Sequence, residues 1–297
     1  MTRHPLFGIL LAAFGTLVLT PDTMFMRWSE MSGFQMIAWR GLLMGTAMLT
    51  AWAILSRDRR GDLRVLTSGF GLTIVACQFA NASLFALGIS LAPVAVVLFG
   101  LATVPVFSAV LAWLILKEPT RMATWVTIVA VMTGIGIAVL SGDKGDVGLN
   151  TASLLGALFG LGTAIVLALN FVVIRRRPQL PILLVIGTGA VLAGLSGLAI
   201  AGPGAMMGGN VWAIAVTGLV ILPVSFFTLS LASRFTHASN VSLLLLLETV
   251  LGPAWVWLGT GEAPTPMMIL GGTLVVGSLA LYILWTGQRA SRARRAR

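Results

Sequence analysis

Apolar stretches of about twenty residues recur along the whole chain, separated by short polar segments. A helix of that length crosses roughly 30 Å of hydrocarbon at 1.5 Å per residue, so each stretch predicts a membrane-spanning helix. The pattern predicts ten spans, at residues 5–26, 34–55, 64–89, 94–116, 121–141, 151–174, 181–202, 211–233, 239–258 and 265–286. The short segment ISLAP separates the third from the fourth, since 64–116 is too long for one helix.

Composition supports this interpretation. Hydrophobic residues make up 58% of the 297 residues and charged residues only 9%, whereas soluble domains carry roughly 25% charged residues. No stretch is left over for a soluble domain. The lone Cys77 excludes an intrachain disulfide framework. The apolar N-terminal run has no cleavage site before Pro21, and we interpret it as an uncleaved first span.

The basic residues predict the orientation of the spans. Sixteen of the 19 lysines and arginines fall in the even-numbered loops and at the two termini. Since short cytoplasmic loops are enriched in these residues, we expect both termini in the cytoplasm, in a bacterial inner membrane. The net charge of +10 and the tail GQRASRARRAR then reflect this topology and contact with anionic lipids rather than binding to nucleic acid.

The chain also repeats itself halfway. FGTLVL from Phe14 matches LGTAIVL from Leu161, at an offset of 147 residues, and the offset becomes 144 where LKEPT matches TGEAP. These matches predict a five-helix unit at 1–141, a linker at 142–150, a second unit at 151–288 and a basic tail at 289–297. An odd number of spans per unit forces the second copy to be inverted. Inverted repeats are typical of secondary transporters that alternate access around a midplane site.

Two segments carry a family resemblance. The stretch APVAVVLFGLATVPVFSAVLAWLILKEPT, residues 92–120, precedes a glycine-rich helix through Gly134 and Gly136, and SLLLLLETVLGPAWVWLGTGEAPT is its second copy. With AWRGLL around Arg40, they resemble the repeat of EamA-type carriers in the drug/metabolite transporter superfamily. The resemblance covers nearly the whole chain. Within the superfamily, the chain resembles the YddG group of bacterial exporters of aromatic and other neutral amino acids.

The chain departs from that family at one position. Members usually place proline directly after the glutamate of the second copy, whereas here Thr249 follows Glu248 and Pro253 comes later. We expect Pro105 and Pro253 to break or bend the fourth and ninth spans and to act as pivots for gating. The bend in the ninth span is then displaced from the family position.

Three charged residues lie inside predicted spans, where a charge must face a cavity or a partner. Glu248 lies near the midplane and is either a cavity carboxylate that takes up a proton or meets a substrate amine, or a structural residue that ties helices together. Asp22 and Arg40 share a depth near the outer ends of the first and second spans. We expect a structural ion pair between them that closes the outer side. The alternative is that Arg40 binds a substrate carboxylate.

Polar and aromatic residues that share helical faces predict a midplane substrate cavity. The residues expected to line it are Thr16, Gln78, Phe79, Asn81, Phe85, Thr163, Asn170, Phe171, Phe226, Phe227, Ser230 and Glu248. Ordinary packing between helices is the alternative for each of them. The glycine pairs Gly41–Gly45 and Gly156–Gly160 are instead typical of close helix contacts.

Other chemistries lack their signatures. The chain has two histidines and no HExxH zinc motif, and no GxxxxGK[ST] nucleotide loop. We therefore expect no metal, no cofactor and no enzymatic activity. The predicted function is secondary export of small amphipathic metabolites, foremost neutral or aromatic amino acids. The alternatives are a carrier or uncoupled facilitator for a cationic drug, a nucleobase or a sugar conjugate, and a lipid-handling enzyme or scaffold. The oligomeric state is left open.

Overall fold

The computed structural model describes residues 5–117, 126, 129–130, 133–134, 137, 151–274, 276–278 and 281. Within these ranges the chain is helical and contains no strand. Eight of the described helices are long and apolar enough to cross a membrane, and they coincide with the predicted first to fourth and sixth to ninth spans. A shorter apolar helix, Pro266–Ser278, lies where the tenth was predicted. Most of the predicted fifth span, and the proposed linker, lie outside the described residues.

The eight spans keep these ordinal names below. Their helices are Pro5–Leu19 and Asp22–Trp28 (first), Gly33–Leu55 (second), Gly69–Leu91 (third), Val94–Leu101 and Val104–Leu116 (fourth), Thr151–Arg176 (sixth), Ile182–Ala201 (seventh), Val211–Val216, Thr217–Ile221 and Leu222–Ala232 (eighth), and Ala238–Leu244 and Leu246–Thr260 (ninth). A separate short helix, Arg59–Leu66, precedes the third span, and a 3₁₀ turn, Pro203–Ala205, follows the seventh.

Side-chain caps set two helix starts. Ser32 and Gln35 form a reciprocal capping box at the second span, in which the Ser32 N–H donates to Gln35 Oε1 at 2.8 Å. At the third span, the Gly71 N–H donates to Ser68 Oγ at 3.2 Å. Caps of this kind satisfy backbone N–H groups that the first turn leaves without partners. The third span therefore starts at Gly69 and not at residue 64, because the preceding charged residues belong to their own helix.

The fourth and ninth spans are interrupted at matching positions. Their first helices begin at Val94 and Ala238, 144 residues apart, and the breaks fall at Ala102–Thr103 and at Leu245. Pro105 lies in the first turn of the helix after its break, where the missing proline N–H costs no helical hydrogen bond. Pro253 lies inside Leu246–Thr260, so the ninth span is interrupted at Leu245 rather than at its proline.

Glycine contacts hold the two halves of the chain together. The second span packs on the seventh so closely that a Cβ added to Gly41 would lie 2.5 Å from the backbone nitrogen of Gly194. Gly160 of the sixth span lies against the backbone of Val97 and Gly100 in the fourth. Both predicted glycine pairs thus lie at close helix contacts. Because spans of one half pack directly on spans of the other, polar residues of both halves meet near the centre of the bundle.

The exposed and buried faces are reversed relative to a soluble protein. On the first span, Leu10, Phe14 and Leu17 are exposed, whereas Asp22 and Thr23 are fully buried. The exposed residues follow a helical spacing of three and four, which gives one apolar stripe. Such a surface suits contact with lipid, and it leaves the polar side chains to the interior of the bundle.

Candidate functional site

A central cavity lies between the spans of the two halves. Seven spans contribute to its wall, namely the first to fourth, sixth, eighth and ninth. Its lining residues are Leu19, Asp22, Arg40, Gly41, Met44, Gln78, Asn81, Ala82, Phe85, Leu101, Thr163, Leu167, Leu222, Phe226 and Glu248. The wall is therefore mainly apolar and aromatic, with three charged and three uncharged polar side chains.

A buried ion pair forms one side of the cavity. Arg40 Nη2 donates to Asp22 Oδ2 at 2.6 Å, with the two side chains 8% and 0% exposed. Arg40 also contacts the sulfur of Met26, and its guanidinium carbon lies 5.6 Å from the centre of the Phe85 ring. The carboxylate and the ring both stabilise the guanidinium, since a cation is attracted to an aromatic face. The two residues predicted at a shared depth are thus direct partners.

The uncharged polar residues have few hydrogen-bond partners. The Gln78 Nε2 group contacts Met44 Sδ at 3.8 Å, which is a weak acceptor. The Thr163 hydroxyl donates to the Phe159 carbonyl of its own helix at 2.8 Å. A hydroxyl that donates within its helix keeps acceptor lone pairs for another group. The amide and hydroxyl groups around the cavity are therefore largely available to a ligand.

Glu248 lies in the first turn of Leu246–Thr260, directly after the break in the ninth span. Its N–H donates to the carbonyl of Leu245 at 2.9 Å, so the break places this residue at the start of a new helix. The side chain is 2% exposed and lines the cavity beside Asp22 and Arg40, whose charges both act on it. A carboxylate at a helix start also benefits from the positive end of the helix dipole.

Known proteins are similar to this chain in sequence and in fold. Residues 6–140 match the model of the EamA-like transporter family. Over 249 residues the chain is 27% identical to a Bacillus subtilis (strain 168) protein named uncharacterized transporter YdfC, covering 82% of this chain and 79% of that protein. A solved crystal structure, 18% identical, covers 94% of this chain and 96% of its own with a TM-score of 0.65. That identity supports the fold alone.

Residues 6–140 carry this similarity to the EamA-like transporter family, which lies in the drug/metabolite transporter superfamily. The family match and the eight long apolar helices indicate a multi-pass membrane transporter. Within the described ranges, no three His, Cys, Asp or Glu side chains converge as a metal site requires.

The transporter brings together half of the twelve predicted cavity residues. Those in the wall are Gln78, Asn81, Phe85, Thr163, Phe226 and Glu248, together with the charged pair Asp22 and Arg40. The other six, Thr16, Phe79, Asn170, Phe171, Phe227 and Ser230, do not line it.

Rotation and depth explain these six positions. Phe79 is 39% exposed on the outer surface, because one residue after the inward Gln78 turns the side chain by about 100°. Phe227 is displaced from Phe226 in the same way. Asn170 is buried but lies three residues beyond the wall residue Leu167, about 4.5 Å further along the helix axis. The cavity thus spans less of the membrane depth than the polar residues predict.

Depth also accounts for the other three residues. Thr16 precedes the wall residue Leu19 by three positions, and Ser230 follows Phe226 by four, so both lie about one helical turn away from the cavity. Both are buried in helix contacts. Phe171 is fully buried beside Asn170. All three are buried among the helices and outside the wall of the cavity.

Several apolar wall residues were missed by sequence reasoning. Met44 and Leu167 each follow a predicted or charged wall residue by four positions, and Leu222 precedes Phe226 by four. That spacing places each of them one helical turn away on the same face. Extending every candidate by one turn would have found them.

One end of the transporter is closed by a second ion pair. Arg27 Nε lies 3.1 Å from Glu262 Oε2, with side chains 25% and 39% exposed, and Arg27 Nη2 donates to the Ala92 carbonyl at 2.8 Å. Trp28 Nε1 donates to the Gly259 carbonyl at 3.0 Å. These contacts tie the first, third and ninth spans together at this end.

Proposed function

We propose that this transporter exports small amphipathic metabolites, with neutral and aromatic amino acids as the substrate class. The central cavity carries this proposal, because it combines an ion pair, a lone carboxylate, amides and two aromatic rings. An amino acid presents a charged amine, a carboxylate and a side chain of its own. The cavity offers each of these groups a complementary side chain, which is the usual make-up of a small-molecule site.

The mechanism follows from the proposed inverted repeat of two five-helix units, residues 1–141 and 151–288, joined by the linker 142–150. The fourth and ninth spans begin 144 residues apart and each is interrupted after its first helix, which supports a duplicated backbone. The cavity lies between the halves, where rocking of one half against the other exposes it to each side in turn. The basic tail 289–297 then lies on the cytoplasmic surface.

The proposed orientation is supported by the arginines of the even-numbered loops, which gather at one end of the bundle. Arg175 Nη1 donates to the Thr236 carbonyl at 2.9 Å, and the guanidinium carbon of Arg177 lies 4.8 Å from the centre of the Phe70 ring. These contacts join the ends of the third, sixth and eighth spans. A basic end is the cytoplasmic one in an inner-membrane protein.

Reconstitution tests the substrate class. Purified protein in liposomes should take up labelled phenylalanine or threonine, and an excess of unlabelled amino acid should reduce that uptake. Protein-free liposomes provide the background. If no amino acid is taken up above that background, the proposed substrate class is wrong.

Glu248 is proposed to carry a proton during the cycle. An imposed pH gradient should stimulate amino-acid uptake by the wild-type protein and should leave Glu248→Gln unstimulated. Glu262→Gln is the matched control, because Glu262 is an exposed carboxylate at the end of the bundle and should retain the stimulation. Equal uptake with and without the gradient in the wild type would instead identify an uncoupled facilitator.

A further inference from the structure

Three buried oxygen atoms in the wall of the central cavity have no hydrogen-bond donor among the described residues. They are Asp22 Oδ1, Gln78 Oε1 and Glu248 Oε2. Their side chains are at most 2% exposed, and all three residues line the cavity. A buried acceptor without a donor destabilises the fold. Three such atoms around one cavity indicate a ligand that supplies hydrogen-bond donors.

Two donor side chains of the same wall are already directed elsewhere. Arg40 donates to the other oxygen of Asp22 and contacts the sulfur of Met26, while the Gln78 amide nitrogen contacts Met44. Arg40 therefore neutralises a carboxylate of the protein itself. The fully buried wall atoms without a partner are all acceptors.

The charges of the wall favour the same kind of ligand. Its three titratable residues are Asp22, Arg40 and Glu248, which carry a formal charge of minus one when all are ionised. A buried net charge needs a counter-charge. A monovalent cation supplies it, and the rings of Phe85 and Phe226 in the same wall attract a cation to their faces.

We propose that the cavity anchors its substrate by a protonated primary amino group, whose three N–H donors bind Asp22, Gln78 and Glu248. A substrate carboxylate is then dispensable, and primary amines without one bind to the same site. This inference rests on the proposed function, since it names the chemical group by which the exported metabolite is recognised.

The test is a binding measurement that does not depend on transport. Three compounds with the same phenyl ring separate the two charged groups. Phenethylamine carries only an ammonium group, 3-phenylpropionate carries only a carboxylate, and phenylalanine carries both. Isothermal titration calorimetry on the protein in nanodiscs should show phenethylamine binding and displacement of it by phenylalanine. It should show no binding of 3-phenylpropionate.

Variants assign the binding to the three acceptors. Gln78→Met keeps the side-chain length and removes the oxygen, and it should weaken phenethylamine binding about tenfold or more, as expected for one hydrogen bond to a charged group. Thr23→Val is the matched control, because the Thr23 hydroxyl is also buried without a described partner but does not line the cavity. It should leave the affinity within about twofold, well under the tenfold expected for one charged hydrogen bond.

The outcomes separate this inference from the proposed function. Binding of 3-phenylpropionate but not phenethylamine would make Arg40 the anchor and overturn the ammonium site. An affinity unchanged in Gln78→Met would overturn it as well. If phenylalanine is transported but phenethylamine does not bind, the function stands and the ammonium site is wrong. If phenethylamine binds with the stated variant effects but no amino acid is transported, the site stands and the substrate class is wrong.

Discussion

Removing one partner of the Asp22–Arg40 pair should destabilise the transporter far more than removing both. In Arg40→Met the Asp22 carboxylate stays fully buried and loses its only described donor. Breaking a buried pair in this way costs about 3–5 kcal/mol, whereas replacing both partners by apolar residues is often neutral or stabilising. The double variant Asp22→Leu/Arg40→Met should therefore recover much of the loss.

The apparent melting temperature in a single detergent measures this difference. At roughly 2–4 °C per kcal/mol, Arg40→Met should melt about 6–20 °C below the wild type. Glu262→Gln is the control, because it removes one charge of a partly exposed pair worth about 0–1 kcal/mol and keeps the Arg27 bond to the Ala92 carbonyl. It should lower the melting temperature by less than about 4 °C. If the loss in the double variant equals the sum of the losses of Asp22→Leu and Arg40→Met, the two charges do not interact and the argument fails.

Two further predictions concern packing and movement. Gly41→Ala should lower the melting temperature, because its new Cβ would lie 2.5 Å from the backbone of the seventh span and overpacking of this kind costs about 1–3 kcal/mol. Gly69→Ala is the control, because a Cβ there would have no atom within 4 Å, and it should leave the melting temperature unchanged. Equal melting temperatures for the two variants would contradict the close contact. The Ser108 and Ser242 hydroxyls lie 2.7 Å apart between the fourth and ninth spans, so cysteines at both positions, in a Cys77→Ser background, should form a disulfide that stops transport until it is reduced. Transport that continues with the disulfide formed would show that these spans need not separate.

Hydropathy predicts eight of the described spans because burial of the backbone in lipid demands long apolar helices. The partnership of Asp22 and Arg40 was also predictable, since two opposite charges at one depth of adjacent spans have few other ways to be neutralised. These two inferences depend on length and depth, which can be counted along the sequence.

Helix rotation and interruption could not be counted in that way. The sequence around Gln78 and Phe79 does not indicate which of the two side chains faces inward. Glutamine and phenylalanine both occur in helix contacts and at lipid surfaces. The break at Leu245 occurs within a run of leucines and has no proline at it. The π-helical turns of Thr217–Ile221 have a clearer cause, since Pro223 lies two residues beyond them and lacks the N–H that an α-helix needs.

The proposed repeat accounts for more of the backbone than of the chemistry. At the offset of 144, Glu248 corresponds to Val104, and at the offset of 147, Arg40 corresponds to Gly187. The fourth and ninth spans are both interrupted, whereas Glu248 and Arg40 have uncharged counterparts at these offsets. One half supplies the ion pair and the other the lone carboxylate. Since neither the ion pair nor the carboxylate is repeated, the formal charge of the cavity depends on contact between the two halves. Copying site residues from the first half to the second would have placed a valine where the carboxylate lies.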